Sequence, residues 1–346
     1  MYLGFGALPH LVGYDHLDQD DYFCKFTLSL IHGPIKILIV MKYSFAIILG
    51  LMLLSPGWLC GQITMVPQKE GVLVLDNADS VLFYQIAPKS LQGKYSRNHY
   101  IHPLWNVDGM VLTEDFPADH LHQRGIFWAW HQIIIDGQRS GDGWSLDDFT
   151  QEVLATGWEV RNDGSSVLTT QVIWKSDLHT RNGKPVPYLL ESTDIVVHPR
   201  EEKYRKLDFI IRLEAINAKV GIGGSEDEKG YSGFSVRIKL PEDVEFHGPD
   251  GPIMPRVTAV SSPGFVDVSG TYDGTKAGVI IGDHPENPQY PQSWILRASK
   301  SMQNAAFPGR EVVTIKPGTP LKLQYSVVTY VGDTPGDILR ELKQQK

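Results

Sequence analysis

The chain has 346 residues, a net charge of -8 and a sequence pI near 5.8, with 42% apolar and 21% charged residues. That balance is enough for a packed core, and it excludes both the low hydrophobicity of a disordered chain and a basic surface made to neutralise nucleic-acid phosphates or anionic lipid. The 33 Gly, 22 Pro, 14 Tyr, 13 Phe and 8 Trp favour short strands and tight turns over long helices.

From Met41 the sequence reads MKYSFAIILGLMLLSPGWLCGQ, with one lysine, an apolar stretch from Phe45 to Leu54 and a Ser-Pro-Gly break before Gly61 and Gln62. This layout predicts a signal peptide over 41–61, cleaved near Gly61, and a periplasmic or extracellular mature protein. The apolar stretch is about half of the ~20 residues that a membrane span needs, so no transmembrane anchor is expected. Residues 1–40 are then a non-native N-terminal extension, and 62–346 form one domain. Gly57, Trp58 and Leu59 do not make the pattern that lipid attachment at Cys60 requires. Cys24 and Cys60 both precede Gly61, so the 285 mature residues (346 minus 61) hold no thiol. Cysteine nucleophiles, thiolate zinc sites and iron-sulfur clusters are excluded there.

Alternating or β-branched runs predict strands at Val72–Leu75, Val81–Ile86, Val167–Trp174, Ser192–Val197, Leu207–Ile216, Phe234–Leu240, Gly278–Ile281 and Leu321–Val331. Arg161-Asn162-Asp163-Gly164 and Arg181-Asn182-Gly183-Lys184 read as hairpin turns, because Asn-Gly and Asp-Gly tolerate positive φ. One helix is predicted, Asp337 to Gln345. Gly221 to Gly230 (GIGGSEDEKG) lacks the strand-then-helix context of a phosphate loop and reads as an acidic loop. No βαβ rhythm or internal repeat is present. The expected fold is all-β: one large antiparallel sandwich, supersandwich-like, with one short C-terminal helix.

Nine histidines follow Gly61, and five of them, His99, His102, His120, His122 and His131, fall within 33 residues. In Asp119-His120-Leu121-His122-Gln123-Arg124-Gly125, an extended chain projects His120, His122 and Arg124 to one face. Two chemistries fit that face. His-x-His suits a divalent metal completed by His131, Asp283 or His284, whereas Arg124 repels a cation and pairs readily with a carboxylate or sulfate on a ligand. Histidines that only hydrogen-bond at strand ends are the structural alternative. Gly282-Asp283-His284-Pro285-Glu286-Asn287-Pro288 presents polar groups at a strand end on a stiff loop, which is either a functional loop or an Asp-capped turn. Trp105, Trp128, Trp130, Trp144 and Trp294 accompany these clusters and suit sugar rings or a core equally well.

Several motifs occur in a set order: His102-Pro103-Leu104, Thr113 to Pro117 (TEDFP), Asp119 to Gly125 (DHLHQRG), Glu228 to Val236 (EKGYSGFSV), Gly282 to Pro288 (GDHPENP) and Asn304 to Gly309 (NAAFPG). Together they resemble the PmoA-like family, secreted bacterial domains of unknown function commonly labelled methane oxygenase PmoA, over most of residues 65–332. The typical family stretch is Asp-His-Pro-His-His-Arg-Gly. Leu121 and Gln123 depart from it, and His120, His122 and Arg124 are retained. The resemblance implies a β-sandwich similar in style to mutarotase and polysaccharide lyase sandwiches, and an association with carbohydrate use.

The expectation is an exported carbohydrate-active protein that handles a saccharide, an acidic one among the options. Its catalytic face comprises His120, His122, Arg124, Asp283 and His284, and His102, Trp130, His131 and Asn304 serve as binding residues. Lyase chemistry follows if Arg124 neutralises a uronide carboxylate. Hydrolysis follows if Asp283 pairs with a carboxylate such as Glu191 or Glu214. No metal, cofactor or nucleic-acid partner is expected. The alternatives are a non-catalytic glycan-binding module and a metal-dependent oxygenase.

Overall fold

Phe209, Ile211 and Leu213 alternate with Asp208, Arg212 and Glu214. In the structure, a computed structural model that describes residues 63–344, this run lies within the twelve-residue strand Tyr204–Ala215. Its apolar side chains are buried and its charged ones face outward, as the period of two requires. The predicted signal peptide and the N-terminal extension lie outside the described residues. Among the described residues no helix is long and apolar enough to cross a membrane.

Two nine-stranded antiparallel sheets make up the fold. In the first, Tyr100–Leu104, Ile126–Trp130, Ser232–Val236 and Gln303–Ala306 are consecutive neighbours. In the second, Leu189–Val197, Tyr204–Ala215, Leu321–Val331 and Thr275–Asp283 follow one another. The sheets pack face to face. Phe234 of the first stacks on Tyr325 of the second at 4.5 Å between ring centroids and meets Phe209 at 5.0 Å, with Trp128 beside it at 6.1 Å. Each such buried ring contributes about 1.5–3 kcal/mol. The all-β sandwich expected from the sequence is therefore the fold, and the one described helix is Gly336–Gln344 at the C-terminus.

The Asn182-Gly183 turn has both residues at positive φ, 52° and 74°, as a two-residue hairpin needs. Two local expectations are corrected. The strand predicted to reach Leu240 ends at Val236, where Arg237 begins a series of side-chain bonds. Gly221 to Gly223 is not loop but part of the strand Val220–Gly223, which pairs with Gln132–Ile135 in a small sheet.

Ionic groups are buried between the sheets: Arg205 of the second sheet pairs with Asp76 of the first, and Glu191 gathers donors from both. Glu191, on Leu189–Val197, is completely buried and accepts bonds from His99 Nε2 at 2.5 Å, Trp128 Nε1 at 2.8 Å, Thr193 Oγ1 at 2.8 Å and Trp174 Nε1 at 3.0 Å. Tyr84 Oη meets the other ring nitrogen of His99 at 2.6 Å. Burial pushes the Glu191 carboxyl up, but the His99 ring and these donors hold it below its ordinary value. Glu191 therefore ties both sheets together and is not available to pair with Asp283. Replacing Glu191 by Ala strands the donors in a dry core, so we expect a loss of about 3–5 kcal/mol in urea unfolding. A loss below about 1 kcal/mol, the range of exposed ion pairs, would contradict this role.

Candidate active site

The outer face of the first sheet, turned away from the inter-sheet core, carries a separate cluster of Tyr100, Phe127, Ala129, Trp144 and Met302, with Tyr231 packed against it. Phe127 and Ala129 alternate with Ile126, Trp128 and Trp130, which fill the main core. This is the surface on which His120, His122 and His131 settle, whereas His99 is turned into the core. The segment 120–124 is not extended as expected. His120 N–H bonds to Pro117 O and Gln123 N–H to His120 O, which makes two successive turns. Gly125 ends them at φ 46°, where an added Cβ would collide with Ile101 O.

Two histidine–aspartate pairs result. His120 Nδ1 donates to Asp119 Oδ2 at 2.7 Å, and His131 Nδ1 donates to Asp142 Oδ2 at 2.8 Å. Burial raises the Asp119 carboxyl, but bonds from Arg237 and His120 hold it at about 2. Asp142 is likewise held below its ordinary value against burial, by His131 and by the Ser145 and Trp144 N–H groups. Ionised carboxylates accept only, so each ring carries its proton on Nδ1 and presents Nε2 outward. His122 lies edge-on to His120, 5.8 Å between ring centroids. Burial, then Arg97, His120 and His131, push it down to about 4. The His131 ring stacks on Trp144 at 5.4 Å, and Trp144 meets Tyr231 at 5.6 Å. A depression of 410 Å³ adjoins the Asp119 side, lined in part by Glu114, Arg237 and Lys300. A larger one of 520 Å³ lies in the 248–263 segment, remote from these histidines in sequence and sharing no lining residue with them.

Arg124 lies beneath this surface, not on it. It is fully buried, paired with Asp115, bonded to Tyr100 Oη at 2.5 Å and to the Lys89 and Tyr95 carbonyls, with its guanidinium 3.4 Å from the Phe116 ring centroid. Every nitrogen of its guanidinium is already bonded within the chain, so Arg124 is committed to positioning Tyr100. His102 belongs to the same layer. It shares a bond with Thr113 Oγ1 at 3.0 Å, and burial lowers it to about 4. Gln123 accepts from Arg237 Nη1 at 2.8 Å, so its side chain is committed as well.

Asp283 and His284 do not join the other histidines. Thr275–Asp283 is a strand of the second sheet, and Asp283 sits opposite Tyr325, whose ring faces the core. Asp283 accepts from Asn287 Nδ2 at 2.8 Å and Gln292 N–H at 2.9 Å, and burial raises it to about 6. His284, one residue on, is turned to the outer side of that sheet, near Glu286, Lys322, Asp208 and Lys206. His122 lies in the turns that lead into Ile126–Trp130 of the first sheet, whereas His284 follows a strand of the second. Glu214, on the exposed side of Tyr204–Ala215, does not pair with Asp283 either.

Two expected binding residues prove structural. Trp130 is fully buried, donates to Phe307 O at 2.8 Å and packs on Trp174. Asn304 Nδ2 donates to the Ser232 and Phe234 carbonyls at 2.7 and 3.0 Å, joining two strands. His131 lies against Trp144, bonded to Asp142. Asp142 and Tyr231 also belong to the site and Arg97 is buried beside it, although the sequence did not single them out. Among the described residues no group of three or more His, Cys, Asp or Glu is placed to hold a metal ion.

The titration of His122 can be predicted with its sign. Its folded pKa of about 4 lies below the ~6.5 of an unfolded histidine, so the unfolded chain binds the proton more readily. The stability that neutral His122 contributes is complete above pH ~6.5 and is lost as pH falls toward 4. Proton NMR of the histidine C2–H signals should show His122 titrating near pH 4. A midpoint near 6.5 would contradict the described environment.

The comparisons with known proteins add a family but no chemistry. No curated protein matches the chain. A family model described as a family of unknown function, DUF6807, matches residues 72–342. That stretch spans most of both sheets and every residue of the two histidine–aspartate pairs, so the chain belongs to the DUF6807 family.

Proposed function

We propose that the protein is a carbohydrate-active enzyme that moves protons with His120 and His131 on the outer face of the first sheet, and that it acts as a lyase on an acidic saccharide. The observation that carries this reading is the pair of histidine–aspartate units on one aromatic-lined face. In each, the carboxylate fixes the tautomer and steadies the imidazolium that forms during proton transfer. One neutral ring serves as base while the other, protonated, serves as acid. Neutral His122 between them holds substrate hydroxyls.

Elimination fits these groups better than hydrolysis. Glycoside hydrolysis uses two free carboxyl groups flanking the scissile bond, whereas Asp119 and Asp142 are each committed to a histidine and Asp283 is enclosed by Asn287 and Gln292. On a uronide, the base takes the C5 proton. The C–H electron pair becomes a C4–C5 double bond, the C4–O bond breaks, and the acid protonates the departing oxygen. The relationship to PmoA-like domains, proposed from the motifs, is in this reading one of fold and motif and not of oxygenase chemistry. Export through the 41–61 signal would place the enzyme where polysaccharides are met. For the binding-module alternative, Trp128, Trp130, Trp144 and Trp294 are all buried, and the exposed Trp158 lies on an edge strand of the second sheet and not on the histidine–aspartate face.

The test is incubation of the full chain with a panel of uronate oligosaccharides, followed by product mass and ultraviolet absorbance. Elimination gives fragments whose masses sum to the substrate and an absorbing unsaturated sugar. We expect His120→Ala and His131→Ala each to lower turnover by about 100- to 10,000-fold. Products that have gained water, or full turnover in both variants, would contradict the reading.

A further inference from the structure

Four arginines are buried among the described residues, and three of them have a carboxylate of their own: Arg124 has Asp115, Arg205 has Asp76, and Arg237 has Glu114 and Asp119. Arg97 has none. Its side chain is as inaccessible as the others, with the guanidinium 4.8 Å from the Phe127 ring centroid and Nη2 donating to the Gly143 and Trp144 carbonyls at 3.1 and 3.3 Å. Nε is buried without a partner, and Nη1 donates to no described residue. Asp142, the acid whose charge reaches Arg97, is already engaged by His131 and by two backbone N–H groups.

A guanidinium stays charged at working pH, and a buried charge without a counter-charge is costly. Elsewhere this fold meets that cost with a carboxylate from its own chain. At Arg97 it supplies carbonyls and a ring, which solvate the cation in part and leave its charge uncompensated. Arg97 also borders the site. It is, after burial, the main influence on His122, and its carbonyl partners flank the Asp142–Trp144 turn.

We propose that the missing anion is the ligand's own: Arg97 is the residue that recognises a carboxylate or sulfate on the saccharide. This rests on placing the sugar at the face of His120 and His131, and it moves the role expected of Arg124 to Arg97. On a uronate, the contact neutralises the carboxylate next to C5 and so makes the C5 proton easier to remove. It also predicts selectivity, because a methyl ester of the same sugar keeps the ring and loses the charge.

The experiment is calorimetric titration of the full chain with oligosaccharides of galacturonate, glucuronate and mannuronate, their methyl esters, sulfated galactan and neutral galactan. We expect at least one acidic chain to bind about tenfold or more tightly than its uncharged counterpart. The tighter of the uronate and sulfated ligands identifies the anion. In Arg97→Lys, which keeps the charge and loses the planar fork, that preference should fall by about tenfold with neutral binding unchanged. Equal affinity for acid and ester, no binding of any acidic chain, or a preference that survives Arg97→Lys would overturn the proposal. If Arg97→Lys does not fold, the acid–ester comparison on the native protein still decides. Binding is read without turnover, so a retained acid preference in an inactive protein would defeat the lyase reading and leave this one standing.

Discussion

A carboxylate with no access to water has to be met by donors, and Glu191 draws them from both sheets. Trp128 and His99 approach from the first, Trp174 and Thr193 from the second. Half-satisfied, such a group would be a liability; fully satisfied, it fixes how the sheets sit on one another. The consequence reaches the opposite surface through the chain itself. His99, held inward at a positive φ of 55°, lies between Arg97 and Tyr100, both of which turn to the outer face. The buried Glu191 and its bond to His99 thus set where Arg97 can stand.

The outer face is supported by a second layer of charge. Arg124 with Asp115 holds Tyr100, and Arg237 with Glu114, Gln123 and Asp119 holds the turn that bears His120. These arginines are positioning residues with their own counter-charges. Arg97, outside that scheme, has no carboxylate of its own and is the cation for which we propose a ligand anion. The face therefore combines two histidine–aspartate pairs and a neutral histidine, with an arginine that has no carboxylate partner buried beside them.

Much of this fold was legible in the sequence because period-two alternation reports burial directly. Tyr204–Ala215 alternates along its length, while Leu321–Val331 alternates only in its first half and is buried on both faces beyond it, where the C-terminal helix packs on Val328 and Tyr330. Thr150–Val160 was missed, for it is an edge strand whose residues are largely exposed, with Leu154 and Trp158 among them. Of the clustered histidines, His120, His122 and His131 lie on the outer face and His99 turns into the core; reading His120 to Arg124 as extended placed Arg124 on that face as well. Pro117 and Asp119 are turn formers, and the two turns carry Arg124 inward instead. Asp142 depends on the hairpin between Gln132–Ile135 and Gln138–Gly141, which returns the chain to His131. Its Asp136-Gly137 turn, at φ 47° and 86°, was a readable signal. The separation of Asp283 from His120 follows from sheet membership, and the lone charge of Arg97 from what the fold places around it. Neither has a local trace in sequence.

The central claim is that one face, that of His120, His122 and His131, receives the saccharide. The most direct measurement is a crystal structure of the full chain with a bound uronate oligosaccharide. The account predicts a sugar ring between the His120 and His131 rings, with their Nε2 atoms within about 3 Å of it and its carboxylate on Arg97. A sugar bound instead on the second sheet beside His284, with the two histidine–aspartate pairs untouched, would contradict it.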